Sequence, residues 1–261
     1  MSREPDVYYE RRGRHDTDAP ALLFLHGLGS SADDWTPQLA AVGDDYRVIL
    51  VDLPGHGRSP LPAGRLTVEG MAREVDALLA HLGEGPTHVV GLSLGACVAL
   101  ALALRVPARV RSLTLVNPFA RLRPVGPRGA LRMALRALLL GTAPMTTVAG
   151  LVARTVFPRP EQTALREATA ASLARTSRRA YAAAAAALAT FDARASLADV
   201  RCPTMVVAGI DDGTVDIDAK DALARAITGA RLVLVPDSGH VTNVDQPVAF
   251  NAVLTEFLAG R

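Results

Sequence analysis

Lysine is almost missing from this 261-residue chain: of 28 basic residues only Lys220 is not an arginine. Cysteine is scarce as well, with two residues. Two thiols cannot build a disulfide framework or a four-cysteine zinc site. Neither sign of charge dominates, since 26 acidic residues leave a formal charge of +2. That balance gives no whole-chain basis for binding nucleic acid. With 21% charged and 49% hydrophobic residues, the composition is also far from that of disordered chains. Because alanine is abundant, the arginine-for-lysine bias reads as codon usage. No His, Cys or Asp cluster has metal-ligand spacing, so neither metal nor cofactor is expected.

A membrane-spanning run is lacking too. The first sixteen residues, MSREPDVYYERRGRHD, are charged from the third position and contain no apolar stretch, which argues against a secretory signal. Residues 85–104 carry no charge over 20 positions, a spanning length. Their first half, GPTHVVGLSLG, holds Pro86, His88 and three glycines, which predicts a strand, a sharp turn and a buried helix instead. A second uncharged run, residues 137–153, is shorter and is interrupted by Gly141 and Pro144. The expectation is a soluble cytoplasmic protein with reduced cysteines and no membrane or nucleic-acid partner.

What the chain does have is a series of short apolar runs bounded by turn residues: ALLFL at 21–25, VILV at 48–51, Val89–Val90, LTLV at 113–116, MVVA at 205–208 and LVLV at 232–235. They do not alternate with polar residues, so both faces of each should be covered, as in a parallel sheet between helical layers. Helical patterns separate most of them. Residues 67–82 place Val68, Met71, Val75, Leu78, Leu79 and Leu82 at helical spacing, and Gly83 stops the run. Residues 94–104 are apolar all round, a helix buried on every side. Asp245 and Pro247 open a last helix to about Leu258. The fold class is α/β with a mostly parallel sheet.

The alternation breaks once. Residues 119–200 show no strand-like run and read as helices over 128–140, 147–156, 160–175 and 178–191. This is the pattern of a helical cap inserted into a core of residues 1–118 and 201–261. The cap carries 12 arginines against 4 acidic residues, a net of +8, which leaves −6 on the core.

The sharpest chemical signal is Gly91-Leu92-Ser93-Leu94-Gly95 between a strand and a helix. In such an elbow the flanking glycines let the backbone close around a serine held above the sheet at a helix N-terminus. A nucleophilic serine needs a base, and the base an orienting acid. Of six histidines (His15, His26, His56, His81, His88 and His240), only His240 lies in a small polar loop, SGH, between the last strand and the last helix. Asp211 and Asp212 directly follow the strand at 205–208. The order Ser93, Asp212, His240 differs from the orders of the other well-known serine hydrolases. His26-Gly27-Leu28-Gly29 follows the first strand and is suited to supply an oxyanion-binding N–H, so Leu28 and Leu94 are the candidate backbone donors. His26 itself is expected to shape its loop. Asp52-Leu-Pro-Gly55-His-Gly57-Arg-Ser59 lacks the P-loop lysine and reads as a tight turn. Cys97 and Cys202 are expected to be core residues, whereas Trp35 suits either a pocket wall or plain packing.

Taken together, LLFLHGLGSSADDW, VDLPGHGRS, GLSLG, Asp212 three residues after Gly209, and SGHVTNVDQP resemble the landmarks of the α/β-hydrolase superfamily in order, with a flavour similar to the 3-oxoadipate enol-lactonases. The resemblance implies the α/β-hydrolase fold, with the cap inserted after the sixth strand, and a cofactor-free serine hydrolase of esters or lactones. Carbon–carbon or amide hydrolysis, acyl transfer, and ligand sensing with negligible turnover are the alternatives. Ala96 and Asp216 depart from the family pattern, which favours glycine and proline there, and Asn117 stands where some relatives keep their acid. Serine at the elbow argues against the dehalogenases and epoxide hydrolases, which use aspartate. The basic cap suggests a small-molecule substrate carrying a carboxylate.

Overall fold

A computed structural model describes residues 5–261, so the first four residues of the charged N-terminal segment lie outside the described residues. Seven strands form one sheet: β1 (Tyr9–Gly13), β2 (Ala21–Leu25), β3 (Arg47–Val51), β4 (Thr87–Leu92), β5 (Val110–Val116), β6 (Thr204–Gly209) and β7 (Arg231–Val235), in the spatial order β1-β3-β2-β4-β5-β6-β7. Only β1 runs antiparallel to its neighbour. The chain therefore builds outward from β2 to β3 on one side and continues through β4 on the other. The reversal at β2 and β4 opens a crevice at their carboxyl ends, where doubly wound sheets bind their ligands.

The apolar runs fill both sides of this sheet by strand alternation. Leu23 and Leu25 of β2 join Ile49, Val51, Val89 and Leu113 against α2 (Val68–His81) and α3 (Leu94–Arg105). Leu22 and Phe24 join Val48, Leu50, Val90 and Val116 against α1 (Thr36–Val42) and the last helix. Ten residues of α3 are buried, as its uniformly apolar sequence requires. The edge strand β7 departs from expectation, because Leu234 is 48% exposed. Strand β1 was not legible as a strand: YERRG alternates charge with polarity at the opposite edge of the sheet and buries nothing fully.

Between β5 and β6 the chain forms α4 (Gly126–Thr142), α5 (Met145–Val156), α6 (Thr163–Ala174) and α7 (Arg178–Thr190), with no strand. Counted along the described chain this insertion follows the fifth strand, not the sixth, because the N-terminal antiparallel part contributes only β1. In α7 the alanines let the helix pack closely: Ala180, Tyr181, Ala184, Ala187 and Leu188 are buried at helical spacing. After β6 come α8 (Ile217–Ala226), then β7, the short α9 (Thr242–Asp245) and α10 (Pro247–Ala259). Pro247 does begin α10, but Asp245 does not cap it. Its carboxylate instead accepts from Arg159 and Gln162 of the insertion and from the Gly239 N–H. Among the described residues no helix is long and apolar enough to cross a membrane.

Candidate active site

Ser93 lies at the reversal point, between β4 and α3. Its backbone adopts φ +52°, ψ −107°, a conformation that costs a non-glycine residue free energy and persists only where the surroundings enforce it. The flanking glycines explain how. A Cβ on Gly95 would lie 2.1 Å from the Leu25 carbonyl oxygen, and one on Gly91 would lie 2.3 Å from that of Gly95. Only bare backbone lets α3 start this close to β2. The Leu94 N–H is the first of that helix and has no intrahelical acceptor, while the Leu94 side chain packs into the core.

His240 and Asp212 reach Ser93 from two other loops. His240 Nε2 is 2.9 Å from Ser93 Oγ, and His240 Nδ1 is 2.8 Å from Asp212 Oδ2. A carboxylate can only accept, so Nδ1 carries the proton and Nε2 presents a lone pair to the serine. All three side chains are buried or nearly so, with Asp212 at 1% exposure. The other carboxylate oxygen accepts from the Thr214 and Val215 N–H groups at 2.7 and 3.2 Å. Burial pushes the Asp212 carboxyl up, but His240 and Lys220 beside it outweigh burial and hold it well below the usual carboxylate range.

The neighbouring carboxylates are engaged elsewhere. Asp211 is half exposed, at 51%, and lies 3.8 Å from Arg159. Asp216, where proline was the family expectation, caps α8 by accepting from the Asp218 N–H. His26 is a loop brace, as expected: its Nδ1 donates to Gly27 O at 2.8 Å and its Nε2 accepts from the Leu53 N–H at 2.9 Å. The 52–59 segment is a tight turn. Asp52 accepts from the Ala32 and Arg58 N–H groups, and Gly57, at φ +52°, leaves no room for a Cβ beside that carboxylate. Burial pushes the Cys97 thiol up, which keeps it protonated and unreactive. Trp35 packs between Phe24 and Phe250 in the core and does not line the pocket.

Ser93 and His240 open on a cavity of about 400 Å³ lined mainly by apolar groups, among them Leu28, Val152, Phe157, Leu173 and Leu188. That volume suits a small molecule. The insertion supplies most of the wall and several of its polar groups. Arg132, Arg136 and Tyr181 line the cavity. Arg132 donates to Gly213 O at 2.8 Å, while the Tyr181 hydroxyl is buried without a hydrogen-bond partner. Burial pushes the Tyr181 phenol up and the Arg136 guanidinium opposes the push. Asp34 also lines the cavity; burial pushes its carboxyl up, against a hydrogen bond from Ser30. Arg128, on the same helical stripe as Arg132 and Arg136, is exposed, as are Arg121, Arg123, Arg154, Arg175, Arg178, Arg179 and Arg194. Most of the cap charge therefore faces solvent.

Two residues to which the sequence analysis gave no part in the site brace the loops around Asp212. Lys220 is fully buried against it, and Asn117 ties the acid loop to the histidine loop. The singularity of Lys220 among 27 arginines was the available signal.

Comparison with known proteins agrees with this architecture. Residues 20–247 match the family described as the alpha/beta hydrolase fold. RutD of Stutzerimonas stutzeri, whose name marks it as a proposed carbamate hydrolase, is 34% identical over 97% of each chain. The 3-oxoadipate enol-lactonase 2 of Acinetobacter baylyi is 31% identical over 90% of this chain and 86% of its own. The crystal structure of the enol-lactonase from Burkholderia xenovorans superposes with a TM-score of 0.88 at 28% identity, covering 97% and 96% of the two chains. The chain belongs to the α/β-hydrolase family and is a hydrolase that resembles the enol-lactonases.

Proposed function

We propose that this hydrolase cleaves a carboxylic ester or lactone through an acyl-enzyme on Ser93, with His240 as the base and Asp212 as its orienting acid. The observation that carries the reading is the unbroken hydrogen-bonded line from Asp212 through His240 to Ser93 at the wall of a largely apolar cavity. His240 Nε2 accepts the Oγ proton as the oxygen attacks the carbonyl carbon. Negative charge then develops on the carbonyl oxygen, which the Leu28 and Leu94 N–H groups stabilise. The imidazolium, held by Asp212, returns its proton to the departing alkoxide; in a lactone that alkoxide stays tethered to the acyl group. Water next gives a proton to Nε2 and attacks the Ser93 ester. Collapse of that intermediate releases the acid and restores the Ser93 hydroxyl. Apart from substrate and water, every group named in these steps belongs to this chain.

The same proposal divides the chain into a core, 1–118 with 201–261, and a cap, 119–200, that shapes substrate choice. Arg136, whose guanidinium lies beside the Tyr181 hydroxyl, favours a substrate with a carboxylate at the cap end of the cavity, because it offers that anion a charged donor. A carbamate, the substrate class in the name of the RutD relative, would meet the same serine with a less electrophilic carbonyl. A panel of p-nitrophenyl esters, small lactones and carbamates, with and without a distal carboxylate, ranks these substrates. Labelling by a fluorophosphonate, lost in Ser93→Ala, tests the nucleophile. An unlabelled wild-type protein with no turnover on the panel would overturn the proposal in favour of ligand sensing.

A further inference from the structure

A fully buried lysine next to a carboxylate is an unusual investment for a chain that otherwise uses arginine. Lys220 projects from α8 with no exposed surface. Its Nζ is 2.7 Å from Asp212 Oδ2, donates to Asn117 Oδ1 at 2.8 Å, and makes a longer bond of 3.4 Å to Gly209 O. These three acceptors occupy the three protons of an ammonium. Asp212 Oδ2 also accepts from His240 Nδ1, so lysine and imidazole converge on one oxygen. Asn117 closes the arrangement. Its Oδ1 accepts from Lys220 and from the Gly209 N–H, and its Nδ2 donates to His240 O and Thr242 Oγ1, each at 2.8 Å.

Resting on the triad reading above, we propose that Lys220 is a positioning residue of the site: its ammonium holds Asp212 ionised and correctly turned toward His240. The charge arithmetic is simple. An aspartate–histidine pair alone carries −1 at rest and 0 once the imidazolium forms. With Lys220 the cluster carries 0 at rest and +1 afterwards. Removing the cation by substitution therefore changes the electrostatic cost of that step, which the pH dependence of activity reads.

The groups that face Lys220 are Asp212 from the loop after β6, His240 through that carboxylate from the loop after β7, and neutral Asn117 from the loop after β5. Asp216 acts on it from the start of its own helix. Burial pushes the ammonium's own pKa down while Asp212 pulls it back. The ionised pair at 2.7 Å is thus the state the geometry holds. A lysine that merely pegged three loops together would affect folding and rate but would leave the pH midpoint of activity where it was.

Being the only lysine, Lys220 can be watched directly. In protein labelled with ¹³Cε-lysine, its single resonance should step at the same pH as the acid limb of kcat/KM for a p-nitrophenyl ester, and the step should vanish in His240→Ala. In Lys220→Met, which keeps length without charge, the acid limb should move up by about one pH unit or more. Plateau kcat should fall about tenfold, with KM within about twofold. Lys220→Gln, which retains a donor, should show the same upward shift and serves if the methionine variant does not fold. A resonance that stays flat through the limb, or an unmoved limb in an active variant, overturns the proposal. Fluorophosphonate labelling of the wild type separates the two failures. A labelled protein with a flat lysine signal loses only the role of Lys220, whereas an unlabelled one loses the triad and this inference with it.

Discussion

The sheet core and the helical insertion solve different problems with different amounts of burial. Every residue of β2 is buried, split between two apolar layers. Helix α4 buries one residue of its seventeen, Gly129, and leaves Leu131 and Leu138 at 70% and 62% exposure. The insertion's own cluster consists of Val148, Ala149, Leu173 and Tyr181. Close packing on both faces fixes the strand ends, and with them Ser93, Asp212 and His240, against small displacements. A lightly packed insertion tolerates change at its surface while still contributing the cavity wall. On the proposed reading, chemistry belongs to the closely packed region and selectivity to the lightly packed one.

The largest expected effect tests the first half of that contrast. Ser93→Ala should lower ester hydrolysis by roughly 10⁴–10⁶ in kcat while the melting temperature stays within a few degrees. Retention of a tenth of the activity by clean protein would move the nucleophile elsewhere. Next, Asp212→Asn should cost about 10³–10⁴, because the imidazole can then settle in the wrong tautomer. Asp211→Asn should stay within about twofold, since Asp211 touches Arg159 and not His240. Similar losses in the two variants would break the assignment of the acid.

Smaller effects discriminate packing from surface. Gly95→Ala should destabilise the fold by about 3 kcal/mol or more in a urea melt, since the added methyl meets a backbone oxygen that no rotamer change can clear. A stable, active Gly95→Ala protein would show that the elbow is looser than its geometry. In the insertion, Arg136→Gln should lower kcat/KM for an ester bearing a distal carboxylate by about tenfold and leave its neutral isostere unaffected. The preference should survive high salt, because a direct pair is screened far less than the outward-facing arginines. No difference between the two esters at any salt would reduce the cap charge to solvated surface. Smallest of all, Leu131→Gln and Leu138→Gln should shift stability by no more than about 0.5 kcal/mol. A large loss would mean that α4 is packed against something in solution.

How much could be read beforehand follows the same divide. The buried strands and α3 were legible because two-sided burial writes itself as uninterrupted apolar runs, and the proposed nucleophile, base and acid could be picked out because each occupies a short stretch of special turn chemistry in a telling order. Strand β1 was illegible because an exposed edge strand needs no apolar pattern. The covered face expected for β7 failed at Leu234 for the converse reason: an apolar run does not say that a sheet ends there. Trp35 had two equal readings until Phe24 and Phe250 were seen around it.

By itself, then, the sequence determined the layered α/β architecture, the helical insertion and the residues proposed as nucleophile, base and acid, since these depend on local turn geometry and on periodicity within single elements. Only the tertiary structure decided that Arg132 and Arg136 face the cavity while Arg128 does not, that Asp245 anchors the insertion instead of capping a helix, and that Lys220 and His240 share one oxygen of Asp212. Each of these outcomes depends on where distant segments meet: Asn117, Asp212, Lys220 and His240 lie on separate loops and a helix, and no local pattern records which of them will touch.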